Sequence, residues 1–136
     1  MTKSAYLAKL RAIEAGPPAS DAGRLFFELV VEPGLPRAEC ASRATRFHAD
    51  LEQIVREVGS LRPPAEVQRL QDRFVAAARE SVAAVARAAR AARAGTLSCG
   101  RQMNSRIYGL PSTRRAEAVL RLLAKKGYVI GLNASD

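Results

Sequence analysis

Two cysteines, a single histidine and a dense run of arginines are the residues of this chain with chemistry to offer. His48 has Asp50 nearby and Glu52 one helical turn on, but a lone imidazole without a second His or a Cys pair at ligand spacing makes a poor zinc site. It reads as a surface or boundary side chain. No strand followed by a Gly-Ser-Gly type of turn presents a nucleophilic serine. The segment Gly95-Thr96-Leu97-Ser98-Cys99-Gly100-Arg101 combines glycines, a thiol, a helix start and an arginine, a set that could hold an oxyanion and depress a thiol pKa. Its spacing fails: a phosphatase loop needs Arg six positions after Cys, where this chain has Ser105, and Arg106 comes one residue late. P-loop spacing is not met either. No catalytic residue, metal site or cofactor is expected.

Cys40 and Cys99 are then either a disulfide or two separate thiols. If the helix carrying Cys40 and the one after it form a hairpin, both cysteines lie toward its open end, which favours a bond. Counting about 1.5 Å per residue from the turn instead carries the later helix some 15–20 Å past Cys40. Bonded Cα atoms must come within about 7 Å. A bond implies an oxidising, extracytoplasmic setting, the cell envelope or the exterior, whereas two thiols imply the cytoplasm. The opening MTKSAYLAKLRAIEA has charges among its apolar positions and does not make a secretory signal. No stretch approaches the roughly 18 apolar residues of a membrane span.

The charge is uneven. Of the net +9, almost none lies before Arg87, where twelve basic residues face eleven acidic ones. Between Arg87 and Lys126 stand Arg87, Arg90, Arg93, Arg101, Arg106, Arg114, Arg115, Arg121, Lys125 and Lys126, with Glu117 as the one acid. Such a segment attracts an anionic polymer or surface, whether wall polymer, acidic lipid or nucleic acid, or else is simply a solvated face.

These groups must be positioned by helices, because Ala and Arg are abundant and strand formers few. Thr2 or Ser4 caps a first helix with Tyr6, Leu7, Leu10 and Ile13 on one side, ended by Gly16-Pro17-Pro18. Ser20 or Asp21 begins a second, with Leu25, Phe26, Leu29 and Val30 at helical spacing. After Glu32-Pro33-Gly34-Leu35-Pro36, a third carries a heptad seam of Cys40, Ala44, Phe47, Leu51, Ile54, Val58 and Leu61. A fourth runs from about Ala65 to Ala94, its Ala/Val face opposite Arg79, Arg87, Arg90 and Arg93. Gly95 stops it. A shorter helix follows from about Ser98 to Tyr108, then a last one from Arg114 to Lys126, capped by Ser112 or Thr113. Gly127 ends that helix with Tyr128 folded back onto it, and Tyr128-Val129-Ile130 could run extended. The core is thin, since Ala removes little apolar surface from water.

Two resemblances follow from these segments. Residues 112–129, SerThrArgArg through GlyTyrVal, look like one helix of a winged helix and the start of its wing, with Arg114, Arg121 and Lys125 in one stripe able to contact phosphates. The phrases RLFFELVVEPGLPRAEC, LRPPAEVQRLQDRFVAAARESV and GTLSCGRQMNSRIYGLPSTRRAE resemble those of uncharacterised helical proteins of high-GC actinobacteria, some of which begin with a leader or lipoprotein signal. That resemblance implies no activity, and implies an extracytoplasmic location for members with the leader. The expectation is a single all-α domain over residues 1–136, built on a long antiparallel helical hairpin with shorter flanking helices. Its expected role is non-enzymatic, in interaction or structure, with self-association through the Ala-rich helix open and a nucleic-acid-binding module as the alternative.

Overall fold

The computed structural model describes residues 1–130 and is all-α, with six α-helices, one 3-10 turn and no strand among the described residues. Thr2 caps α1 (Lys3–Ala15), its Oγ1 accepting from the Ala5 amide at 3.1 Å. Helix α2 (Pro17–Val30) begins three residues earlier than the Ser20 or Asp21 start expected from sequence. The reason is local: Pro17 and Pro18 fall in the first turn, where no amide donor is needed and the fixed φ suits a helix. Gly16 therefore ends one helix and caps the next.

Pro36 stands just before α3 (Arg37–Gly59), and the chain then crosses an extended Pro63-Pro64 step and a 3-10 turn (Ala65–Val67) into α4 (Gln68–Ala94). Gly95 takes a positive φ of 78°, and the Thr96 amide reaches back to the Ala91 carbonyl at 2.9 Å, closing the end of α4. Helix α5 (Arg101–Ile107) is shorter than the Ser98 to Tyr108 span expected. Helix α6 (Pro111–Lys125) starts at a proline, so Ser112 and Thr113 do not cap it. They lie inside its first turn, 2.7 and 2.9 Å from the Ser81 hydroxyl of α4. At its far end the Tyr128 amide bonds the Leu123 carbonyl at 2.9 Å and Gly127 adopts φ 85°, the folded-back ending expected.

Helix α4 packs along both α3 and α6, and α2 packs on α3. Buried side chains gather in two groups. One joins α2, α3, α4 and α5 around Leu25, Leu29, Cys40, Phe47, Val85 and Met103. The other joins α1, the 3-10 turn and α6 around Tyr6, Val67, Leu120, Leu123 and Tyr128. Within the second group sits buried Gln71, whose amide nitrogen donates to the Val58 and Leu61 carbonyls at 3.1 and 2.9 Å while its oxygen accepts from the Tyr6 hydroxyl. Carbonyls at the end of α3 are thereby satisfied by a side chain rather than by water. Burial, then the neighbouring Tyr128, pushes the Tyr6 hydroxyl pKa up to about 12.

Candidate functional site

The cysteines come together: Cys40 at the start of α3 and Cys99 in the loop after α4 form a disulfide with Cα atoms 5.7 Å apart. The overshoot counted from sequence does not arise, and the reason is one of level. Gly59, the last residue of α3, packs against Val75, with its Cβ direction 3.6 Å from Val75 Cγ1. The first two turns of α4 therefore project beyond the end of α3. From there Cys40 and Ala94 are each nineteen residues away, roughly 28 Å at 1.5 Å per residue. Arg93 accordingly meets Thr45, at 2.9 Å, and the Gly95 turn returns the chain to Cys40.

Around the bond the loops interlock. A Cβ at Gly34 would overlap the Cys99 carbonyl, and the Gly100 amide donates to the Leu29 carbonyl at 2.8 Å. At the start of α5 the Arg101 amide donates to Glu32 Oε1 at 2.5 Å. The anion site considered for Gly95 through Arg101 is thus occupied by the chain's own carboxylate, and the Cys99 sulfur is spent on Cys40.

All ten cations from Arg87 to Lys126 are exposed to solvent. They are spread over α4 (Arg87, Arg90, Arg93), α5 (Arg101, Arg106) and α6 with its end. Arg115 pairs with Glu80 of α4. Among the described residues, no other member of the set lies within ion-pairing distance of a carboxylate. On α6, Arg114, Arg121 and Lys125 fall within about 40° of arc at 3.6 residues per turn. Among the described residues no strand follows α6, and a wing beyond Ile130 lies outside them. Tyr128 is buried, with its hydroxyl donating to Glu66, which pushes its pKa up to about 12, and its ring 6.1 Å from that of Tyr6.

His48 is half-buried with its Nε2 3.6 Å from Glu52, the boundary position expected of it. No group of three or more His, Cys, Asp or Glu able to hold a metal ion occurs among the described residues.

Two features escaped the sequence. The first is a carboxyl pair between α2 and α3. Hydrogen bonding to Asp50, then Arg24 and Arg46, holds Asp21 down at about 2, while burial and the facing Asp21 push Asp50 up to about 6. Asp50 Oδ2 is shut off from water with no donor beside it. One proton shared across the pair accounts for both values.

The second is a cleft of about 390 Å³ between the two groups of buried side chains, walled by Leu10, Phe26, Leu51, Ile54, Phe74 and Leu123 among others. Its origin lies in the seam of α3: Phe47 and Val58 are buried, but Leu51 and Ile54 between them are only half-buried. From α4 the wall takes Gln71 and Phe74, while Ala78, Ser81 and Val82 bound a neighbouring hollow that shares Leu51 and Ile54. The sequence shows these apolar residues but not how the helices bring them around one cleft. No family model, curated protein or solved structure matches this chain.

Proposed function

We propose that this protein is a non-enzymatic interaction protein of the cell envelope that meets an anionic polymer or surface through the cations of α4, α5 and α6. On this reading residues 1–136 are one bundle built on a long antiparallel hairpin of α3 and α4, which the Gln71 contact at one end and the Arg93 contact at the other support. The observation that carries it is the exposure of all ten cations between Arg87 and Lys126, with Arg115 alone paired to a carboxylate among the described residues. Unpaired like charges repel and add nothing to packing, so their use lies with a partner of opposite sign. The Cys40–Cys99 bond supports an oxidising compartment.

The stripe of Arg114, Arg121 and Lys125 favours a second reading, a nucleic-acid-binding module using α6, whose phosphate contacts would give salt-sensitive affinity without sequence preference. Titrating the purified chain with polyphosphate, anionic vesicles, duplex DNA and single-stranded RNA at several salt concentrations separates the two. Binding to polyphosphate or vesicles that weakens with salt supports the envelope reading. Preference for nucleic acid at matched charge supports the second, and no binding to any probe at low salt overturns both.

A further inference from the structure

We infer that the cleft between the two groups of buried side chains is a binding site for a linear aliphatic amphiphile with an anionic head, such as a long-chain carboxylate. Its volume, about 390 Å³, falls in the ~300–1,000 Å³ range of small-molecule sites. The wall offers an occupant almost nothing polar. Gln71 reaches it, but both ends of that amide are engaged with Tyr6, Val58 and Leu61. Water inside would find few partners, and a hydrocarbon chain would need none.

The side of the cleft nearest α6 sets the polarity of the occupant. There Leu51, Ile54, Phe74 and Leu120 also bound a second hollow of about 460 Å³ between α4 and α6. Its polar lining is Ser81 of α4 with Thr113, Glu117 and Arg121 of α6, the helix that also carries Arg114 and Lys125. An anionic head there meets the Arg121 guanidinium and the Ser81 and Thr113 hydroxyls, with Glu117 as the one carboxylate. The tail then lies along Leu51, Ile54 and Phe74 toward Leu10 and Phe26. The head end shares Arg121 with the cations assigned to polymer binding, whereas the apolar wall, Gly23 included, holds none of them.

Gly23 of α2 provides a test that spares the fold. It lines the cleft, and a Cβ added there meets nothing within 4 Å, so Gly23→Leu starts its side chain in open space and favours the helix. Dodecanoate, dodecanol and dodecylamine are titrated below their aggregation concentrations into the full chain by calorimetry, with circular dichroism confirming the helicity of each variant. Dodecanoate is expected to bind at one site per chain, dodecylamine at least tenfold more weakly, and Gly23→Leu to weaken dodecanoate at least tenfold. Arg121→Gln is expected to weaken dodecanoate about three- to fivefold while leaving dodecanol unchanged. Absence of dodecanoate binding to the wild-type chain, or equal binding by a folded Gly23→Leu chain, overturns the site. Preference for the amine overturns its polarity. Polymer binding by Gly23→Leu is expected to stay at wild-type strength, so failure here and failure of the polymer reading are distinguishable.

Discussion

The surface of α2 and α3 and the surface of α4, α5 and α6 are both rich in arginine, yet they treat charge in opposite ways. Across α2 and α3 the charges interlock: Arg24 reaches Asp21 and Glu28, Arg43 reaches Glu28 and Glu39, Arg46 holds Asp21 at 2.7 Å, and Glu52 sits between His48 and Arg56. Single exposed pairs of this kind contribute ~0–1 kcal/mol, but here they link two helices into a chain of contacts. On α4, α5 and α6 the Glu80–Arg115 pair is the one ion pair among the described residues, against the surplus of cations. The first surface uses charge to hold helices together. The second carries cations that, Arg115 apart, no carboxylate among the described residues offsets.

The largest effect expected comes from severing the link between these regions. Cys40 belongs to the interlocked side and Cys99 follows α4 on the cationic side, with a sequence separation of 59 residues. Cys40→Ser with Cys99→Ser is expected to cost about 2–4 kcal/mol, read from urea unfolding of the variant against the oxidised parent. Reduction of the parent should give a similar loss. An unchanged midpoint would show that helix packing alone joins the two sides.

Next in size is the functional contrast itself. Arg114→Gln, Arg121→Gln and Lys125→Gln combined are expected to weaken polyphosphate binding about ten- to a hundredfold at low salt. If duplex DNA binds, the slope of log K against log salt should fall by about 0.9 for each contact removed. Thermal stability at low salt should hold or rise, since like charges are relieved. Arg24→Gln, Arg43→Gln and Arg46→Gln combined should do the reverse, lowering the melting temperature modestly and leaving polymer binding within about twofold. If both triples weaken binding equally, net charge alone matters and the contrast between surfaces dissolves.

Much of this architecture was legible in the sequence because it depends on neighbours in the chain. The Thr2 cap, the Gly95 and Gly127 stops and the buried ends of the α3 seam at Cys40, Phe47 and Val58 all follow from local spacing. The surplus of cations could be counted directly. What sequence could not supply is the level of one helix against another. That level brings Cys40 to Cys99 where a count from the turn placed them apart, and it leaves Leu51 and Ile54 half-buried along the cleft. It also sends Glu32 across 69 positions to the start of α5, filling a site that looked open to an anion. Ser112 and Thr113 were misread for a related reason: Pro111 starts α6 early, and their hydroxyls serve Ser81 instead of the backbone.

The smallest effect expected lies inside the interlocked surface, at the one place where it sets like charges face to face. The unfolded chain releases the Asp50 proton near pH 4, but the folded chain keeps it to about pH 6. Between those values the folded state binds more protons, so stability falls as pH rises through that window. Asp21, held down at about 2, works in the opposite sense: its contribution is present above pH 4 and is lost as pH falls toward 2. Asp50→Asn keeps a donor facing Asp21 and removes the titration. The variant should therefore match the parent near pH 4 and exceed it modestly above pH 6, because solvent reaches Asp21 and screens its repulsion with Asp50. Melting temperatures of both proteins from pH 4 to 8 measure the difference. Parallel curves would mean that the two carboxyl groups do not share a proton and that α2 and α3 are held by their arginines alone, whereas diverging curves make the contact between α2 and α3 the part of the molecule that responds to acid.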